Sequence, residues 1–177
     1  KMIRVLAQPV LSFDTFDACE NEEMTLTDLS TSFEDAIISR SWRLGNEVIG
    51  TGTKALLPTS NPGEYTVTLD VHTTSGCNYS QEKSITVFPP PVSNFMASID
   101  FGIPPFVVSF DNISENGQTF HWFIDDSLAS TSENPNFNFG MEGSFDVSLV
   151  AISENDCKDT LSIEVISAQP QIDLTID

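Results

Sequence analysis

The sequence matches itself at an offset of 80 residues, and that period limits the possible folds more than any other feature. Trp42 recurs as Trp122, Gly63 as Gly143, Tyr65 as Phe145, Val67 as Val147, Leu69 as Leu149 and Cys77 as Cys157. Upstream of the tryptophan the offset is 84, aligning Thr27-Asp28-Leu29-Ser30 with Asp111-Asn112-Ile113-Ser114. The first copy therefore carries four extra residues within SFEDAIISRS, a change of loop length that surface connections tolerate. A period near 80 exceeds the repeats of solenoids, so each copy is expected to be a domain with its own core. The flanks repeat as well. Ile85-Thr86-Val87 and Ile163-Glu164-Val165 close the two copies, and Ile3-Arg4-Val5 has the same form. The expected organisation is the last strand of a preceding unit at 1–6, one domain at 7–88, a second at 89–167, and the first strand of a following unit at 168–177, carried by Ile172 to Ile176.

Within each copy, apolar residues alternate with a period of two. Tyr65, Val67, Leu69 and Val71 fall on one face of one strand, and Phe145, Val147, Leu149 and Ala151 repeat that face. Met24-Thr25-Leu26 and Val108-Ser109-Phe110 read as short strands. Asn61-Pro62-Gly63, Pro104-Pro105, Asn116-Gly117 and Asn134-Pro135 are turn signals. No segment has the pattern of an amphipathic helix; Ser32 to Ser39 has room for one helical turn. Short strands, frequent turns and one tryptophan per copy predict an all-β chain of tandem immunoglobulin-like sandwiches. Trp42 and Trp122 are expected on middle strands, packed between the sheets with Tyr65, Phe145, Leu69 and Leu149 as core; a solvent-facing tryptophan for ligand stacking is the competing reading.

Charge excludes whole classes of partner. Seven Lys and Arg face 26 Asp and Glu, for a formal charge of −19, so the chain repels phosphate backbones and anionic lipid. No apolar run reaches the roughly 20 residues that span a bilayer. The start KMIRVLAQPV lacks the apolar segment and cleavage site of a signal peptide, and reads as an excerpt of a longer secreted polypeptide. No catalytic constellation is legible. His72 ends a strand and His121 precedes Trp122, both in the position of solvent-facing strand residues; neither belongs to a nucleophile motif. Three isolated Cys and two distant His do not supply a zinc site, and no glycine-rich phosphate loop is present.

The second copy reads Trp122-Phe123-Ile124-Asp125-Asp126-Ser127, then Ser130-Thr131, Asn134-Pro135, Phe139 and Gly143-Ser144-Phe145-Asp146-Val147-Ser148-Leu149. The first reads Trp42-Arg43-Leu44-Gly45-Asn46-Glu47, then Gly63-Glu64-Tyr65-Thr66-Val67-Thr68-Leu69. Both copies resemble PKD domains, the immunoglobulin-like modules of polycystic kidney disease type, whose pattern is W-x-F-G-D-G, S-T-x-x-N-P, an aromatic, and G-x-Y-x-V-x-L-x-V. The G-D-G turn is degenerate in both. The resemblance implies a bacterial secreted or cell-surface protein similar to gliding-motility adhesins and type IX secretion cargo, in which such modules serve as spacers, stalks and protein contacts. Similar modules also accompany secreted proteases, collagenases and chitinases and engage their polymeric substrates. Asp125 and Asp126 sit where the family has its acidic turn and are the candidate calcium ligands. The acidic stretch holding Asp14, Asp17, Glu20, Glu22 and Glu23 is a second candidate. Ca²⁺ needs six to eight converging oxygens, and the plain alternative is a solvated acidic turn.

Three cysteines in such a chain suggest one disulfide with one thiol left over. Cys19–Cys77 within the first copy is the simplest pairing. The first turn and last hairpin of an immunoglobulin sandwich lie at opposite ends, however, which brings in Cys19–Cys157 as the alternative, with Cys77 then seeking a partner in the preceding unit; no bond at all is the third. The links Phe88-Pro89-Pro90-Pro91 and Ala168-Gln169-Pro170 are short and stiffened by proline, as in a semi-rigid spacer. The expected partners are neighbouring repeats, other cell-surface proteins or extracellular polysaccharide. Three roles compete: a structural or adhesive stalk, an accessory module of a secreted hydrolase, and a calcium-dependent junction.

Overall fold

The structure is a computed structural model that describes residues 6–169. The expected strand fragments at 1–6 and 168–177 lie, except for Leu6, Ala168 and Gln169, outside the described residues. The chain divides into two compact units, Lys1–Pro89 and Pro90–Asp177.

Unit one contains eight strands: β1 (Phe13–Asp14), β2 (Ala18–Cys19), β3 (Met24–Asp28), β4 (Ile37–Leu44), β5 (Glu47–Thr51), β6 (Lys54–Leu57), β7 (Gly63–Thr73) and β8 (Asn78–Phe88). They form a three-stranded sheet β1-β3-β6 and a five-stranded sheet β2-β8-β7-β4-β5. Unit two repeats the plan with β9 (Phe95–Ala97), β10 (Phe101–Gly102), β11 (Phe106–Asn112), β12 (Thr119–Ile124), β13 (Ser127–Ser130), β14 (Asn136–Phe139), β15 (Gly143–Ile152) and β16 (Lys158–Ser167). Its sheets are β14-β11-β9 and β10-β16-β15-β12-β13. Ser32 to Ser39 makes no helical turn: it bends into β4, which starts with a register shift between Ile37 and Ser39. The four extra residues of unit one divide evenly. The connection 29–36 is two residues longer than 113–118, and β4 two longer than β12.

Each unit is organised around its tryptophan. Trp42 lies on β4 between β7 and β5, Trp122 on β12 between β15 and β13, and both are fully buried. The alternation selects the buried face: Val67, Leu69 and Val71 in unit one, and Val147, Leu149 and Ala151 in unit two, are buried opposite the tryptophans. A buried indole N–H needs an acceptor. Trp42 Nε1 donates to the Gly52 carbonyl at 3.0 Å, and Trp122 Nε1 to the Ser132 carbonyl at 3.0 Å, in each case ten residues downstream. Around this common feature the cores differ. In unit one, Phe13 meets Trp42 edge-on at 5.2 Å. In unit two, Phe95, Phe110 and Phe137 surround Trp122 at 4.9, 5.4 and 6.4 Å.

Tyr65 and Phe145 are half-buried, although they share the core-facing register. They stand near the starts of β7 and β15, where the sandwich thins. There Tyr65 spends its hydroxyl on the Asn61 carbonyl at 2.8 Å, the arrangement of a tyrosine corner. Phe145 lacks the hydroxyl, so unit two has no such bond.

The matched Asp28-x-Ser30 and Asn112-x-Ser114 motifs are Asx turns. Ser30 N donates to Asp28 Oδ1 at 2.8 Å and Ser114 N to Asn112 Oδ1 at 3.0 Å. Each serine hydroxyl then bonds the incoming chain, at Ser12 O in unit one and Asn94 O in unit two.

Trp122→Ala is expected to cost about 3–5 kcal/mol by chemical denaturation, because it opens a cavity and orphans the Ser132 carbonyl. Tyr65→Phe should cost only about 0.5–1.5 kcal/mol, the net worth of one hydrogen bond.

Candidate functional site

Groups able to do chemistry are few and mutually distant. His72, near the end of β7, shares a hydrogen bond with Asn78 Oδ1 at 2.7 Å. It borders an open depression of about 290 Å³ whose lining includes Ser39, Arg40, Asp70 and Asn78. The charged groups there are committed to structure. Arg43 grips Asp70 through Nε at 2.5 Å and Nη2 at 3.2 Å, and Ser80 Oγ also donates to Asp70. Arg40 pairs with Asp28, whose side chain is buried. His121 stands in β12 opposite Val150, beside a second open depression that includes Gln118, Thr131 and Glu133. The two imidazoles belong to different units and neither is bonded to a serine or cysteine side chain among the bonds of the described residues.

Asp125 and Asp126 form the tip of the β12–β13 hairpin, with φ of 47° and 62°. Two consecutive left-handed residues are what a tight hairpin turn requires, and aspartate tolerates them better than most residues. Asp125 Oδ1 accepts from the Asp146 amide at 2.9 Å, so it braces the neighbouring strand. Among the described residues no group of three or more His, Cys, Asp or Glu could hold a metal, at this turn or in the acidic stretch from Asp14 to Glu23. Asp17 instead accepts from the Thr86 amide, and Glu22 from the Cys19 amide.

Cysteine pairing departs from the simplest expectation. Cys77 is a free, exposed thiol, so the Cys19–Cys77 bond is not formed. Cys19 lies on the short strand β2, which runs parallel to the end of β8, whereas Cys77 sits in the hairpin that begins β8, a full strand length away. Cys19 and Cys157 are each disulfide-bonded.

The tightest polar cluster went unnoticed in the sequence. Asp35 is 2% exposed and joins the β3–β4 connection to the β7–β8 hairpin. Its Oδ1 accepts from Thr74 Oγ1 and from the Ser75 amide, both at 2.9 Å, and its Oδ2 from Ser75 Oγ at 2.5 Å. Hydrogen bonds from Ser75 and Thr73, stronger together than the opposing effect of burial, hold its carboxyl far below the usual carboxylate range. Nearby, burial and the adjacent Cys77 sulfur push the Tyr79 phenol up. An acidic residue six positions before a tryptophan, facing a Thr-Thr-Ser turn, was the available signal; alternation carries no information about such a loop-to-loop bond.

No protein-family model and no curated protein matches this chain in sequence. Solved structures do match in shape. The fibronectin(III)-like modules of Clostridium thermocellum CbhA superpose with a TM-score of 0.51 at 10% identity, covering 95% of this chain and 99% of that one. The chain is a tandem of immunoglobulin-like β-sandwiches. A titin I-band fragment, I67–I69, matches at a TM-score of 0.45 and 14% identity, covering 92% of this chain and 66% of that one. Bacteroides ovatus SGBP-B, solved with a mixed-linkage heptasaccharide, matches at 0.38 and 12%, covering 92% and 48%.

The Asp35 carboxyl is lowered on folding, so its contribution to stability is complete above its ordinary pKa of 3.8 and disappears as pH falls through the lower folded value. Asp28, where bonds from Ser30 and Arg40 outweigh burial, and Asp70, held by Arg43, act in the same direction. Asp35→Asn is therefore expected to melt at a lower temperature at pH 7 and to lose less stability than the parent between pH 4 and pH 2. At the β12–β13 tip, Asp126→Gly relieves a left-handed residue and should stabilise unit two by about 0.5–1 kcal/mol in denaturant titration.

Proposed function

We propose that this chain is a non-catalytic structural and adhesive module of PKD type, serving as spacer and protein contact surface in a secreted or cell-surface protein. The carrying observation is how each unit fastens its two ends. In unit one the entering strand β2 pairs in parallel with the end of the closing strand β8, Ala18 with Val87 and Cys19 with Phe88, and the Glu20 amide extends the zipper to the Phe88 carbonyl at 2.8 Å. In unit two β10 pairs in parallel with the end of β16, with the Ile166 amide bonded to Asp100 O at 2.8 Å and the Ala168 amide to Gly102 O at 3.1 Å. Tension applied at the ends of a unit loads such parallel pairs in shear, so several hydrogen bonds must break together. The resemblance to PKD modules of gliding-motility adhesins and type IX secretion cargo supports the cell-surface setting.

The accessory-module reading lacks its expected feature, a row of exposed aromatics on one sheet. Phe16, Phe33 and Phe101 are exposed, but two lie in connections of unit one and the third on a two-residue strand of unit two. We further propose that Cys19 is bonded to Cys157: three cysteines with one free thiol leave a single pair.

Force spectroscopy on the 177-residue chain tests both statements. With reductant, two separate unfolding events are expected, each releasing about 25–30 nm for roughly 80 residues. Without reductant, a Cys19–Cys157 bond withholds the intervening span and both releases vanish. One merged event in the reduced chain would contradict the modular reading. Full release from the oxidised chain would contradict only the pairing.

A further inference from the structure

We propose that the end of unit one formed by the β3–β4 connection and the β7–β8 hairpin is the docking face for another cysteine-bearing immunoglobulin-like domain, locked by a disulfide to Cys77 and anchored by Phe33. The inference builds on the modular reading above and adds to it a specific surface and partner.

The first observation is Phe33. It is 98% exposed, the most exposed of the large apolar residues, and belongs to the stretch in which unit one exceeds unit two. Its loop is nevertheless held from two sides. Asp35 ties it to the hairpin through Thr74 and Ser75, and the Thr74 amide bonds the Ala36 carbonyl at 2.9 Å. Ser32 Oγ closes the loop on the Asp35 carbonyl at 2.5 Å. On the other side Thr31 and Val10 exchange both backbone hydrogen bonds, at 2.8 and 2.9 Å. A fully exposed phenyl ring on a pinned loop is pre-ordered for burial by a partner, because little conformational freedom remains to be lost.

The second observation is the different state of two matching cysteines. Cys77 and Cys157 occupy the same place in the same hairpin: Thr73 N bonds Cys77 O at 3.0 Å, and Ser153 N bonds Cys157 O at 2.8 Å. Gly76 N returns to Thr73 O, and Asp156 N to Ser153 O. Cys157 is oxidised and 1% exposed; Cys77 is reduced and exposed, on the hairpin that Asp35 joins to the Phe33 loop. The position is thus one where this architecture makes a disulfide, and at Cys77 the second cysteine is external to the chain. Closing the bond takes one hydrogen from Cys77 and one from the partner thiol. A disulfide oxidant accepts the two electrons and two protons and departs as two thiols.

The test is peptide mapping of the protein as its host makes it, alkylated with N-ethylmaleimide without reductant. The expected result is a Cys77 peptide crosslinked to a cysteine peptide lying outside residues 1–177, within a β-sandwich module. A partner on the same polypeptide leaves monomer mobility on a non-reducing gel, whereas a partner on another polypeptide gives a heavier, reductant-sensitive species. Hydroxyl-radical footprinting supplies the second readout: Phe33 oxidation should fall several-fold in the host-made protein relative to the isolated 177-residue chain. Recovery of Cys77 alkylated or capped only by a small thiol, or equal Phe33 oxidation in both samples, overturns the proposal. The two-event unfolding of the reduced chain is unaffected by that failure, so the modular reading is judged separately.

Discussion

The indole hydrogen bond is the constraint on which each unit depends. A tryptophan is the largest side chain a sandwich can close over, and its N–H cannot be buried without an acceptor. Both units solve this identically, with a carbonyl ten residues downstream, in the chain segment that leaves the edge strand for the opposite sheet. One bond therefore fixes three things: the depth of the ring, the path of the crossing segment, and the spacing of the two sheets. The rest of each core can then vary, and it does. Unit one places Arg43 and Asp70 on the outer face of its larger sheet, where unit two has Phe123 and Val150; unit one buries an Asp28–Arg40 pair, where unit two has Asn112 and Phe120.

That exchange accounts for the uneven charge. Unit one holds six Lys and Arg against twelve Asp and Glu, and unit two a single Lys against fourteen. The two arginines of unit one are internal counter-ions. Unit two replaces them with aromatic packing and leaves its carboxylates facing water. Short edge strands such as β13 gain protection from this, because like charge opposes pairing with another copy.

What the sequence revealed follows the reach of its signals. Alternation in Tyr65–Val71 and Phe145–Ala151 reports burial directly, since a strand has two faces and only one is covered. The repeated Asp28/Asn112-x-Ser pair is a local turn, so it too was visible as a motif. Asp35 was not, because its partners lie some 40 residues away on another loop, and no local period encodes that meeting. Cysteine pairing was hidden for the same reason: spacing favours Cys19 with Cys77, while the strand geometry separates them. The acidic turn at Asp125-Asp126 invited a metal reading from its composition, but in the structure it is a hairpin tip whose carboxylate braces the next strand.

The central claim is that each unit closes over its own tryptophan through a buried indole hydrogen bond. Hydrogen exchange at the two indole N–H groups, followed by NMR, tests it most directly. The account predicts both resonances protected to the level of the slowest amides of β7 and β15. Rapid exchange at either indole would show that ring to be solvent-accessible and would contradict the claim for its unit.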